Sequence, residues 1–246
     1  MRTRLHISDL GRLAYGPAYE LQVAAHARAL AAREVSANEN SEVLSGPVGE
    51  LLLVEHDPVV TISNRATAEA NLLASPASLA QSGVAVARTD RGGDITYHGP
   101  GQLVAYPILD LNALNLGLHD YMRLLEDVVI AVCAKYGVET MRDPKATGVW
   151  TERGGQPDAK IAAMGVRVRK WISMHGLALN VTTNLDHFRL IVPCGLVGRR
   201  VTSLERELGP KCPPMSEVKR TLVEVFIDAI ERQRERAKTA RAAASQ

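Results

Sequence analysis

Apolar residues recur at Leu118, Met122, Leu125, Val129, Val132 and Tyr136, at spacings of four, three, four, three and four. That rhythm puts them on one face of a helix, and Gly137 follows in the position a left-handed cap needs. A second amphipathic helix is predicted from Glu217 to about Arg236. Val218, Leu222, Val225, Phe226 and Ile230 lie on one side of it, and Ser216 serves as N-cap. An Ala- and Leu-rich stretch, residues 19–33, predicts an earlier helix. Short apolar runs bounded by turn residues predict strands at residues 50–55, 59–63, 84–87, 103–111, 148–151, 161–168 and 172–181, with one more at 201–204. Residues 36–49 are polar, carry Gly46-Pro47 and read as a loop; residues 65–82 read as irregular or weakly helical.

The strands do not alternate strictly with helices. The pattern therefore predicts an α/β domain of the α+β type, with a large mixed sheet flanked by helices, rather than doubly wound topology. At 246 residues, one catalytic-sized domain over residues 1–236 is expected. The small and basic residues 237–246 are expected to form a disordered tail. Aromatics make up only 4%, so the core must be aliphatic. A formal net charge of +2 argues against nucleic-acid or membrane binding. The N-terminal residues lack the apolar centre of a signal peptide, and no run approaches the roughly 18 apolar residues of a membrane span. Cys133, Cys194 and Cys212 are odd in number and none are two residues apart, which argues against a disulfide framework or a zinc ribbon. A reducing cytoplasm and a monomer are the expectations.

Candidate chemistry begins with Arg91-Gly-Gly-Asp-Ile-Thr-Tyr-His98-Gly-Pro-Gly-Gln102. Glycine permits positive φ and close approach of a ligand to the backbone, so this stretch reads as a substrate cradle, with a plain hairpin as the alternative. Cys194 lies in Ile191-Val-Pro-Cys-Gly-Leu-Val-Gly198. Proline before it and glycine after it suit a turn that presents a sulfur beside N–H groups able to hold an oxyanion. Cys133 sits in an apolar helical run and reads as core; Cys212 has no glycine beside it. A thiol of ordinary pKa, about 8.5, needs a nearby cation or base to become a useful nucleophile. His98, His175 and Lys160 are the candidates, and the residues alone do not choose among them. The run Gly165-Val-Arg-Val-Arg-Lys170 alternates apolar and basic positions, which fits a solvated face or a docking patch for an acidic partner. There is no phosphate loop, no dinucleotide fingerprint and no Cys/His cluster with metal spacing.

Four motifs in fixed order resemble the octanoyltransferases of lipoate biosynthesis. They are Leu53-Val-Glu-His-Asp-Pro58, the stretch from Thr89 to Leu103, Lys160-Ile-Ala-Ala-Met-Gly165 with His175-Gly-Leu-Ala-Leu-Asn180, and Pro193-Cys-Gly195. The resemblance implies the mixed α/β fold of biotin and lipoate protein ligases. It implies transfer of an octanoyl group from the phosphopantetheine of acyl carrier protein to a lysine of apo lipoyl domains, those of 2-oxoacid dehydrogenase complexes and the glycine cleavage H protein. It places an acyl-thioester cysteine on Cys194 and its activating lysine on Lys160. Acyl-binding positions fall on Arg91, Gly92, Gly93, Asp94, Ile95, Thr96, Tyr97 and His98, on Ala163, Met164 and Gly165, and on Gly176, Leu177 and Ala178. No cofactor, metal or ATP is implied. Because acyl carrier proteins are acidic, Arg167, Arg169, Lys170, Arg199 and Arg200 become docking candidates.

The sequence departs from the family pattern in places. Ser63 stands where glycine is expected, Ala163-Met164 where serine and leucine are usual, and Gly154-Gly155-Gln-Pro157 is inserted before Lys160. Three other readings compete: an ATP-dependent ligase on the same fold, a cysteine hydrolase using Cys194 with His98 or His175, and an inactive acyl- or protein-binding module.

Overall fold

The computed structural model of the chain describes residues 5–38, 48–192 and 199–244. In chain order the elements are β1 (Leu5–Leu13), α1 (Tyr15–Asn38), β2 (Gly49–His56), β3 (Val59–Ser63), α2 (Pro76–Gln81), β4 (Ala85–Thr89), β5 (Ile95–His98) and β6 (Gln102–Leu109). There follow α3 (Leu118–Lys135), β7 (Thr140–Asp143), β8 (Ala146–Arg153), β9 (Gln156–Arg169), β10 (Ile172–Asn180), β11 (Arg200–Val201), α4 (Leu204–Leu208) and α5 (Met215–Ala244). The main sheet runs β1-β2-β6-β10-β9-β8-β7, with β11 beside β9, and β4-β3-β5 form a second sheet. The mixed α/β expectation holds, with helices packed on both faces of the main sheet.

The face against α3 and α5 carries the largest cluster, from Leu51, Leu53 and Leu103 to Val129, Leu222 and Phe226. The helical periodicity of Leu125, Val129 and Val132 is what this face buries. The opposite face packs Leu52, Val54, Val104 and Tyr106 under α1 residues Ala25 and Ala29. Successive residues of β2 and β6 thus serve the two faces alternately, as the strand period of two requires. The small sheet has its own core of Val60, Ile62, Ile95 and Tyr97 against Phe188 and Ile191.

Several elements differ from the expectation. β1 went unrecognised because it is an edge strand, parallel to β2 and mostly half-exposed, so its apolar alternation is weak. β7 is short and no more apolar than a loop. The strand expected at 201–204 is two residues long, because Ser203 caps α4 by accepting from the Arg206 N–H. Part of the loop expected from residue 36 is the end of α1. The tail expected to be disordered from residue 237 is instead helix through Ala244. Ala237 is fully buried there, and Arg241 donates to the Asn112 carbonyl over 2.9 Å. The Gly154-Gly155 insertion is the two-residue turn of the β8–β9 hairpin, with both glycines at positive φ, 61° and 74°. Among the described residues no helix is long and apolar enough to cross a membrane.

Candidate active site

The glycine-rich stretch folds over β9 and β10 to make a pocket of about 480 Å³, open mouth included. Gly92 N–H donates to Val166 O over 2.8 Å, which seats the loop on β9. A methyl group on Gly165 would stand 2.8 Å from Gly92 O, so the close approach needs glycine there. Ser63, at the family's glycine position, bonds the loop as well: its Oγ donates to Gly93 O over 3.0 Å. Arg91 reaches back to Thr61, donating to both its O and its Oγ1 at 3.0 Å.

Most of the expected acyl-binding residues converge on this pocket. Arg91, Gly93, Asp94, Thr96 and His98 line one wall; Ala163, Met164, Gly165, Gly176, Leu177 and Ala178 line another. Ile95 and Tyr97 do not. On β5 they alternate with Thr96 and His98, so they point into the core of the small sheet. Gly92 is not part of the lining either; its role is the bond to β9. Tyr15, Val104, Tyr106 and His175 complete the lining. Val104 and Tyr106 were missed; their one signal is place, as alternate residues of the apolar strand just past the glycines. Tyr15 comes from the start of α1, with no local signal.

The polar groups in and behind the pocket lining are fixed by hydrogen bonds. His56 donates Nδ1–H to Leu13 O over 3.0 Å and accepts from Tyr106 OH over 2.7 Å. Burial holds His56 below its ordinary range. Burial, reinforced by His56 and Arg91, pushes His98 down to about 3. His175 sits at φ 57°, outside the extended range of its strand, and its N–H leaves the ladder to bond Gln22 Oε1 over 2.9 Å. Its Nε2–H donates to Asp90 over 2.7 Å. Burial lowers His175, only partly offset by Asp90. Burial also opposes the charge on Asp90, but hydrogen bonds from His175 and Tyr19 leave its carboxyl below the usual range.

Lys160 lies on β9 before the pocket residues. It is buried, donates Nζ–H to Thr147 O over 2.9 Å, and its Nζ is 4.8 Å from the centre of the Trp150 ring. Arg199 packs 4.0 Å over the same ring and pairs with Asp143. Cys194 lies outside the described residues. The described chain stops at Val192, whose N–H bonds Asn71 O; Asn71 in turn bonds the pocket residue Asp94. It resumes at Arg199, and Val201 pairs with Lys160 across β11 and β9.

The docking candidates divide. Arg167 is paired with Asp90 and half-buried, so the basic face expected of residues 165–170 is not a uniformly solvated one. Arg199 and Arg200 pair with Asp143 and Asp158. Arg169 and Lys170 are exposed at the β9–β10 turn. Nine residues of β9 separate Arg169 from Lys160, a span of at most roughly 30 Å at about 3.3 Å per strand residue. Among the described residues no group of His, Cys, Asp or Glu could hold a metal ion.

The chain matches the family described as lipoyl protein ligase A/B catalytic domain over residues 22–227. It is 47% identical over 225 residues to an octanoyltransferase of Chloroflexus aggregans, covering 91% of this chain and 93% of that one. It is 46% identical over 206 residues to an octanoyltransferase of Myxococcus xanthus, covering 83% of this chain. The match spans only 57% of that relative's length. In fold it resembles a bipartite lipoate protein ligase of Thermoplasma acidophilum, solved in a study of that ligase and its E2 lipoyl domain. The TM-score is 0.68 at 18% identity, over 94% of this chain and 85% of that one.

Proposed function

This chain belongs to the octanoyltransferases, acyltransferases within the lipoyl protein ligase A/B catalytic family, and we propose that it moves an octanoyl group from acyl carrier protein to a lysine of apo lipoyl domains without ATP. The observation that carries the reading is the convergence of the glycine-rich loop with β9 and β10 on one pocket, with buried Lys160 on the strand that forms its wall. An apolar acyl chain gains about 0.8 kcal/mol for each methylene removed from water, and Leu177, Met164, Val104 and the alanines supply such a lining.

In this reading Cys194 is the nucleophile. Its thiolate attacks the thioester carbonyl of the carrier; the carbon–sulfur bond to phosphopantetheine breaks and a Cys194 thioester forms. Lys160, as ammonium, favours the thiolate and returns a proton to the departing thiolate. The amine of the lipoyl-domain lysine then attacks the new thioester. Neutral Lys160 accepts the proton lost from that amine as the amide forms and Cys194 leaves. One thioester is exchanged for another before the amide forms, so no ATP enters the balance. Val192, two residues before Cys194, bonds Asn71, whose side chain bonds the pocket residue Asp94, and Val201 pairs with Lys160; these contacts support the role given to Cys194.

Docking of the acidic carrier falls, in this reading, on Arg199 and Arg200 rather than on Arg169 and Lys170, because the former lie beside Lys160. The test is intact-protein mass spectrometry after mixing with octanoyl-acyl carrier protein in the absence of ATP. A single octanoyl adduct on the wild type, missing in Cys194→Ala and slow to form in Lys160→Ala, is expected. An unmodified protein beside a fully acylated carrier would overturn the reading.

A further inference from the structure

Lys160 holds its ammonium on Thr147 O, and that carbonyl belongs to a peptide gripped from its other side. The N–H of the same Thr147–Gly148 peptide donates to Glu126 Oε1 over 3.1 Å. A peptide unit is planar and trans, so fixing the direction of its N–H fixes the direction of its C=O. Gly148 has φ +127°, a conformation from which only a glycine turns freely. A grip on this peptide is therefore what keeps its carbonyl aimed at Nζ. Glu126 is in turn immobilised. It is 1% exposed on α3, and its Oε2 accepts from Arg123 at 2.6 Å and from Arg142 at 2.9 Å. Both arginines lie on the oxygen away from the peptide, so the carboxylate end facing Gly148 keeps its acceptor character. The aligned carboxylate and peptide dipoles then strengthen the carbonyl as a partner for an ammonium.

We propose that Glu126 is a positioning residue for Lys160, acting through the Thr147–Gly148 peptide. The inference rests on the acid–base reading of Lys160. No motif announces it: Glu126 belongs to a helix remote from the four sequence motifs, and its carboxylate reaches the site only through backbone.

Two conservative variants separate its reach from its charge. Glu126→Asp keeps the charge between the arginines but withdraws it from the Gly148 N–H; Glu126→Gln keeps the reach and loses the charge. Steady-state transfer from octanoyl-acyl carrier protein to an apo lipoyl domain is measured beside Lys160→Ala, with thermal denaturation of every variant. Site-resolved labelling by acetic anhydride follows Lys160 directly, with Lys219 and Lys238 as internal references. The expectation is a kcat about tenfold lower in either variant at unchanged KM for the carrier, as for a modest displacement of a catalytic group. Labelling of Lys160 should change several-fold while the reference lysines stay constant. Where one variant fails to fold, the other decides. Full transfer by Lys160→Ala would remove the reading of Lys160 itself. An inactive Lys160→Ala beside Glu126 variants with wild-type kcat and wild-type Lys160 labelling would overturn this inference alone.

Discussion

His98 donates its Nδ1–H to Gln102 Oε1 over 2.7 Å, and the orientation of that amide is not free. Gln102 Nε2 donates both its hydrogens, to Tyr97 O at 3.2 Å and to Asn180 Oδ1 at 2.9 Å. Asn180 Nδ2 then donates to Thr202 O, and the Thr202 N–H to Lys160 O, both at 2.9 Å. A single chain of hydrogen bonds thus runs from the backbone of Lys160 to the pocket histidine. It fixes the tautomer of His98, leaving Nε2 without a proton on a ring that lines the pocket.

Acid should destabilise this protein before its carboxylates titrate. His98 is depressed to about 3 from an ordinary 6.5, and His56 and His175 shift in the same direction. For a histidine kept neutral by folding, stability is fully present above the unfolded pKa. It is lost as pH falls from 6.5 toward the folded value, because the unfolded chain binds the proton first. One such group costs about 1.4 kcal/mol for each pH unit below that point. Urea denaturation between pH 7 and 4.5 should show this loss, and His98→Gln should flatten its slope. A flat wild-type profile over that window would refute the buried neutral histidine.

Gly148→Ala should damage transfer more than stability. Its new methyl group would stand 2.7 Å from Ala162 O and 3.2 Å from Lys160 Cε, at a φ of +127° that side chains avoid. The strain costs about 1–3 kcal/mol in melting experiments. Displacement of the lysine should lower kcat at least tenfold, measured in the octanoyl transfer assay. Retained kcat in a folded variant would mean that Lys160 needs no fixed place.

How much of this was legible in the sequence depends on distance along the chain. The glycine-rich wall of the pocket was, because its glycines, Arg91 and His98 are contiguous, and β9 and β10 declare themselves as apolar runs. The large core helices were legible because the periods of Leu125, Val129 and Val132 and of Leu222 and Phe226 are undisturbed. The edge strands β1 and β7 were not, since half-exposed residues carry little alternation. Ile95 and Tyr97, expected at the acyl site with their neighbours, turn away from the pocket for a local reason: contiguity marks a motif, while a strand turns every second side chain away. Tyr15, Trp150 and Glu126 were invisible because their parts in the site come entirely from tertiary contact.

Deleting residues 237–246 should destabilise the protein, although their composition is that of a dispensable tail. The deletion removes the fully buried Ala237 and the bond from Arg241 to Asn112 O. Burial of a methyl group and one hydrogen bond are together worth about 1–2 kcal/mol. For a chain of this size that corresponds to a melting temperature lower by roughly 2–8 °C. An unchanged melting temperature would return these residues to the status of an appendage.

Acyl-chain length should respond to the alanine pair Ala163 and Ala178. The two are directly opposed across β9 and β10, so their side chains share a face, and both line the pocket. Ala163 stands where serine is usual in the family, so this wall already tolerates change. Ala163→Leu adds three carbons to a wall otherwise kept low by small residues. Each methylene of substrate it excludes forfeits about 0.8 kcal/mol of burial, close to a fourfold effect, so losing two or three should cost tenfold or more. In competition between octanoyl- and butanoyl-acyl carrier protein, the variant should shift preference toward the shorter chain by at least that factor. An unaltered ratio in a folded variant would mean the acyl chain does not lie across this face of the two strands.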